Sequence, residues 1–235
     1  MKGKVAIVTG AGKGIGRAIA LDLAAQGVHV VVVSRTQSDL DSLSQQITQQ
    51  EVHVLAVCAD VSREKDVQTL ISKVIKEFGR IDILINNAGV GYFANVADLK
   101  LDEFDEMWSI NMRGVFLCAR EVISYMMKQN EGDIVNISSL AGRNAFKGGA
   151  GYCATKWALI GFSRSLMLEV RENNIRVITV CPGSVDTSFG PKDLHLKDTS
   201  RIPKAEDVSR VVINALNMPR NVMVSEIDIR PTNPK

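Results

Sequence analysis

The chain has 235 residues, 46% of them hydrophobic, which is long for one core yet within reach of a single α/β domain. Its net charge of +2, with 23% charged residues of interspersed sign, lacks the basic excess that tracks a phosphate backbone, so no nucleic-acid partner is expected. Cys58, Cys118, Cys153 and Cys181 stand far apart without C-x-x-C pairing, which predicts reduced thiols and no metal centre. Met1-Lys2-Gly3-Lys4 runs directly into a short apolar stretch, and no apolar run approaches a membrane span. A soluble, cytoplasmic protein without a signal peptide is expected.

Val5-Ala6-Ile7-Val8 has the β-branched character of a strand buried on both faces, and it ends in Thr9-Gly10-Ala11-Gly12-Lys13-Gly14-Ile15-Gly16. Ile15, Ala18, Ile19 and Leu23 then recur at helical spacing, with a stop at Gln26-Gly27. Strand, glycine turn and helix in this order suit a dinucleotide. The glycines let backbone approach the pyrophosphate, and the helix N-terminus offers it unpaired N–H groups.

The second strand, 28–33, ends at Ser34-Arg35-Thr36, where a dinucleotide fold selects its cofactor. No acid stands there to hold the ribose hydroxyls of NAD. Arg35 offers a guanidinium fork suited to a 2′-phosphate, and Lys13 in the turn adds a second positive charge, so NADP(H) is expected over NAD(H). A polar helix near 37–50 and a strand near 52–57 lead to Asp60-Val61. Asp60 reads either as an adenine contact or, with Ser62 beside it, as a turn and capping residue. After a helix near 63–78, the strand Ile81 to Ile85 stops in Asn86-Asn87-Ala88-Gly89. There the amides can brace neighbouring backbone, and Gly89 permits close approach of the nicotinamide-side ribose.

Two long segments, 101–129 and 151–173, are helical in pattern, with apolar residues on more than one face, which predicts packing on the sheet and on a second subunit. Between them a strand delivers Ser138 and Ser139 at its carboxyl end, where open α/β sheets bind ligands. The strand 175–180 runs into Cys181-Pro182-Gly183-Ser184-Val185-Asp186-Thr187 at the same edge. Residues 188–203 are loop-like and long enough for a lid; a helix near 205–216 and a strand near 222–229 complete the pattern. Tyr152 and Lys156, four apart, share one helical face, so the ammonium can favour the ionised phenol. On its own such a pair is common.

The alternation of seven strands with helices implies a Rossmann-type doubly wound parallel sheet in one dinucleotide-binding domain that includes the catalytic site. The set Thr9-Gly10-x-x-x-Gly14-Ile15-Gly16, Asn86-Asn87-Ala88-Gly89, Asn111, Ser139, Tyr152-x-x-x-Lys156 and Pro182-Gly183 resembles the short-chain dehydrogenase/reductase family across nearly the whole chain. The resemblance implies that Tyr152 gives a proton to a substrate carbonyl and Ser139, rather than Ser138, holds its oxygen. Lys156 would favour the phenolate and bind the nicotinamide ribose, Asn111 would hold a relay water, and Val185 and Thr187 would fix the carboxamide. Gly12, Pro182 and Gly183 belong to the implied cofactor cradle.

Tyr92, Phe93, Leu140, Phe146, Phe189 and Leu194, with Lys147 and Lys192 at the rim, suggest a carbonyl substrate with an apolar body. The ending Ser225 to Lys235 lacks the glycine-rich tail of many tetrameric relatives and looks closer to sepiapterin-reductase-like carbonyl reductases. Reduction of 3-oxoacyl groups on an acyl carrier protein, docked near Lys128 and Arg171, is the second reading. An idle nucleotide-binding scaffold is the reading of another class.

Overall fold

The β-branched runs form seven parallel strands: β1 Val5–Thr9, β2 His29–Ser34, β3 Val54–Cys58, β4 Ile83–Asn86, β5 Gly132–Ile137, β6 Ile175–Pro182 and β7 Glu226–Ile229. The computed structural model describes residues 1–190 and 199–233, and in it the strands make one sheet in the order β3-β2-β1-β4-β5-β6-β7. The helices are α1 Gly14–Ala25, α2 Gln37–Thr48, α3 Glu64–Phe78, α4 Leu101–Trp108, α5 Val115–Gln129, α6 Ala150–Val170 and α7 Ala205–Leu216. Strand periodicity of two decides which helix meets which residue. Val5 and Ile7 of β1 join the core under α3, α5 and α6, whereas Ala6 and Val8 join the core under α1, α2 and α7. This is the doubly wound sheet expected from the sequence, and Lys192 and Leu194 lie outside the described residues.

Three segments differ from expectation. Residues 101–129 are not one continuous helix: a π-helical segment, Ser109–Gly114, separates α4 from α5 and carries the fully buried Asn111. Such wide turns recur at functional sites. The helix expected to reach 173 ends at Val170 in a 3₁₀ turn, with Asn174 at φ 55° closing it. The last strand starts only at Glu226; before it, the carbonyls of Met218 and Val222 accept from the Arg176 guanidinium.

Strand order reverses between β1 and β4, and Thr9 stitches that junction. Its hydroxyl donates to the Ile85 carbonyl at 3.2 Å and accepts from the amides of Asn87 and Ala88 at 3.0 and 3.1 Å. The carboxyl ends of β1 and β4 are thereby held at the point where such sheets open a crevice. Polar side chains also clamp α6 to the sheet. Asn86 donates to Asn136, Asn136 to Ser163, and Ser138 to the Lys156 carbonyl, at 2.9, 2.8 and 3.1 Å.

At the opposite, amino-terminal edge, buried Asp133 accepts from Arg176 at 2.6 Å and from Arg220 at 2.9 Å. Asp133→Ala leaves the buried Arg176 without its carboxylate partner and is expected to lower the unfolding free energy by about 3 kcal/mol. Urea denaturation measures this, and a loss below about 1 kcal/mol would show that the cluster is not a buried charge network.

Candidate active site

The turn after β1 and the loops after β4, β5 and β6 meet at the carboxyl edge of the sheet around two joined grooves. One, of about 750 Å³, is lined by Gly14, Ser139, Tyr152, Lys156, Val185 and Thr187 among others. The second, of about 660 Å³, runs past Gly12, Ser34, Arg35, Thr36, Asp60 and Val61. Gly10, Lys13, Ala88, Gly89, Ser188 and Phe189 border both, so the two form one trough across the β1–β4 junction. Ile15, Asn87, Pro182 and Gly183 also line the first groove.

Two glycines show what the turn requires. Gly14 adopts φ +54°, a conformation that side chains resist. A Cβ on Gly16 would collide with the Asn87 side-chain nitrogen and the Gly10 carbonyl, so α1 packs directly on the stitched junction. Gly16 therefore shapes the cradle from behind rather than lining it. The start of α1 has no side-chain cap and no acid in its first turn, a combination it shares with α5 and α6, whereas α2, α3, α4 and α7 carry acids there. A helix N-terminus that faces a groove, with no side-chain cap and no acid in its own first turn, fits a pyrophosphate.

In the first groove Tyr152 and Lys156 come from one face of α6. The Tyr152 phenol lies beside Ser139, whose Oγ accepts from the Ala141 amide at 3.1 Å and donates to the Pro182 carbonyl at 3.3 Å. Ser138 is 4% exposed, with its hydroxyl turned to helix backbone, so Ser139 is the serine that meets the phenol. Lys156 Nζ lies 5.7 Å from the Tyr152 ring centroid and donates to the Ile137 carbonyl at 3.0 Å.

The expected electrostatics are reversed among the protein groups alone. Burial pushes the Tyr152 phenol up to about 12, the Ser139 hydrogen bond opposing it, and pushes Lys156 down to about 8. The ammonium's own desolvation weakens the help it can give the phenol. Tyr152 thus rests as a protonated phenol at neutral pH.

Asn111 also differs. Its Oδ1 accepts from the Val90 amide at 2.9 Å, and its Nδ2 donates to the Val90 carbonyl at 2.9 Å and to Thr155 at 3.1 Å. One amide hydrogen braces the loop after β4 through Val90 and the other holds Thr155 on α6, so a relay water at Asn111 must use an acceptor oxygen instead. Asp60 accepts from the Ser62 amide and hydroxyl at 2.9 and 2.7 Å, the turn reading, while still bordering the second groove.

Phe93 packs edge-on to Tyr152 with centroids 5.4 Å apart, Phe189 lies 5.9 Å from it, and Phe146 packs on Phe93 at 5.8 Å. Tyr92 and Leu140 are corrections to the expected substrate wall. Tyr92 faces the second groove, where its hydroxyl donates to Glu106 at 2.6 Å, and the Leu140 side chain abuts Gly183. Lys147, expected at the rim, is exposed and borders neither groove.

Sequence reasoning missed the acids opposite the two cations. Glu106 accepts from Arg35 at 3.3 Å, and Asp39 pairs with Lys13 at 3.4 Å. Asp39 reads locally as a first-turn helix acid, and nothing local links Glu106 to Arg35.

A family model described as short chain dehydrogenase matches residues 4–195. A sepiapterin reductase of Chlorobaculum tepidum is 35% identical over 237 residues, spanning 97% of this chain and 96% of that protein. An alcohol dehydrogenase from the archaeon Thermococcus sibiricus, solved with 5-hydroxy-NADP, superposes with TM-score 0.92 at 31% identity and covers 99% of both chains. A 3-ketoacyl-(acyl-carrier-protein) reductase from Brucella melitensis, solved with NADH, superposes with TM-score 0.91 at 28% identity over 98% of each chain.

The two shifted groups make opposite contributions to stability. From the ordinary Lys value of 10.5 down to about 8, the unfolded chain holds a proton that folded Lys156 has released, so stability rises with pH across that window. Below it, burial of the ammonium costs about 3 kcal/mol. Between pH 10 and about 12, folded Tyr152 keeps a proton that the unfolded chain has lost, and stability falls. Lys156→Met is expected to raise stability at pH 7 and to abolish the rise between pH 8 and 10. Denaturation midpoints across that range test it, and a flat wild-type profile contradicts the buried ammonium.

Proposed function

The chain belongs to the short-chain dehydrogenase family, and on that premise we propose that it reduces a ketone or aldehyde to an alcohol with NADPH, reversibly, using Asn111, Ser139, Tyr152 and Lys156. The observation that carries this reading is the buried, protonated phenol of Tyr152, set with Ser139 and Lys156 in the groove that the glycine turn and the start of α1 also border. The α1 N-terminus and Gly10 to Ile15 would hold the pyrophosphate, Arg35 and Lys13 the 2′-phosphate, and Val185 and Thr187 the carboxamide. Gly89 and Lys156 would meet the nicotinamide ribose. When bound, the cofactor supplies the hydride that reduces the carbonyl carbon.

Ser139 orients the carbonyl oxygen, and Tyr152 gives that oxygen its proton. A phenol that is protonated at neutral pH is the form reduction needs. Lys156, with one hydrogen bond already on Ile137, has donors left for ribose hydroxyls, and as a nearby cation it stabilises the phenolate left behind. Asn111 fixes the loop after β4 through Val90 and supplies an acceptor for a relay water that returns a proton. Support for NADP(H) comes from Arg35 and Lys13 at the second groove and from the archaeal structure solved with an NADP derivative.

Phe93, Phe146 and Phe189 favour a substrate with an apolar or planar body. Of the lid expected over 188–203, residues 191–198 lie outside the described residues, while Phe189, Thr199 and Ile202 border the groove. The similarity to a 3-ketoacyl reductase favours a second reading, reduction of acyl-carrier substrates. We read the protein as a cytoplasmic homodimer or homotetramer. Its four free thiols fit a reducing compartment, and among the described residues no helix is long and apolar enough to cross a membrane. Phe116 and Met127 on α5, and Trp157 and Leu168 on α6, are large exposed apolar side chains suited to a subunit contact.

A panel of diketone, pterin and acyl-carrier thioester substrates with NADPH and NADH tests both the substrate class and the cofactor. Tyr152→Phe is expected to lower kcat at least about a hundredfold while NADPH still binds. Wild-type protein that binds NADPH yet turns over nothing would favour the idle reading instead. Light scattering should give at least twice the chain mass of 25.6 kDa, with Trp157→Asp shifting it toward monomer; a monomeric wild type would overturn the assembly.

A further inference from the structure

We propose that Glu106 is a selectivity residue acting against the cofactor's 2′-phosphate, an inference that rests on reading Arg35 as the group that holds that phosphate. Glu106 lies on α4, 71 residues from Arg35 in sequence, and its two carboxylate oxygens are divided between two partners. Oε1 accepts from Arg35 Nη1 at 3.3 Å, and Oε2 accepts from the Tyr92 hydroxyl at 2.6 Å. The short second bond matters because it clamps the carboxylate where it is. The Tyr92 phenol is pushed up to about 12, chiefly by that bond, so it remains a donor throughout the neutral range.

A 2′-phosphate arriving at the Arg35 fork meets a carboxylate that already occupies the guanidinium and that Tyr92 keeps from turning away. Two anions at one fork repel, and one must yield. NAD has no phosphate at that position and meets no such opposition. The acid therefore narrows the preference that Arg35 creates. Arg35 and Glu106 side chains are 56% and 35% exposed, so solvent screens the effect and keeps it moderate.

The clamp also reaches the substrate side. Tyr92 sits between Gly91, on which the Phe189 and Phe93 rings lie, and Phe93 itself, which packs against the Tyr152 ring. Phosphate selection and the aromatic wall of the substrate groove thus share one short loop.

The test measures the affinity of 2′,5′-ADP and of 5′-AMP by calorimetry for wild type, Glu106→Gln, Arg35→Ala and the double variant. Removing the Glu106 charge is expected to tighten 2′,5′-ADP by about twofold to fivefold and to leave 5′-AMP unchanged. The gain should vanish when Arg35 is absent, which a purely structural role would not produce. Tyr92→Phe, which releases the clamp, should shift 2′,5′-ADP in the same direction by less, and it serves as the test if Glu106→Gln does not fold. If Arg35→Ala weakens 2′,5′-ADP but neither Glu106→Gln nor Tyr92→Phe tightens it, the proposal fails while the phosphate reading stands. If Arg35→Ala leaves 2′,5′-ADP unaffected, the phosphate reading itself fails and the proposal with it.

Discussion

A lysine that is 5% exposed, with no carboxylate paired to it among the described residues, is the constraint around which this molecule is arranged. Lys156 can be kept there only because α6 is held rigidly on the sheet. The chain of Asn86, Asn136 and Ser163 fixes the middle of the helix, Ser138 grips its backbone at Lys156, and Ile137 accepts from the ammonium itself. Each bond satisfies a polar group that would otherwise be buried alone. The same clamp sets Tyr152 against Ser139. The buried ammonium costs stability at this point, a pattern that clusters at functional sites.

The site divides into halves with different electrostatic character. Around Tyr152 the walls are aromatic and the titrating groups are shifted by burial. Around Arg35 and Lys13 each cation faces an acid, and the charges lie near solvent. The first half can therefore hold a proton in a chosen place, while the second can grade anions against one another. Thr9 joins the halves physically, since its hydroxyl fixes the loop that both grooves share.

Much of this was legible in the sequence because it is written locally. β-branched runs placed the strands, glycines and helical spacing placed the first turn, and the Tyr152–Lys156 interval placed both on one helical face. The residues expected around a cofactor line the two grooves, apart from Gly16, which packs behind them. What escaped is written across distance. Asn111 in the π-helical segment meets Val90, Tyr92 meets Glu106, and the Val222 carbonyl ahead of β7 meets Arg176 on another strand. No periodicity carries such pairings. The pKa directions were misjudged for a related reason: spacing shows that an ammonium is near a phenol but not how deeply both are buried.

The central claim is that the Tyr152 proton goes to the carbonyl oxygen, and paired pH profiles of kcat/KM in the two directions test it most directly. The account predicts that carbonyl reduction falls at high pH while alcohol oxidation rises, both through one shared ionisation, because the phenol gives the proton and the phenolate takes it back. Profiles that are flat in both directions, or that turn on two unrelated ionisations, would contradict it.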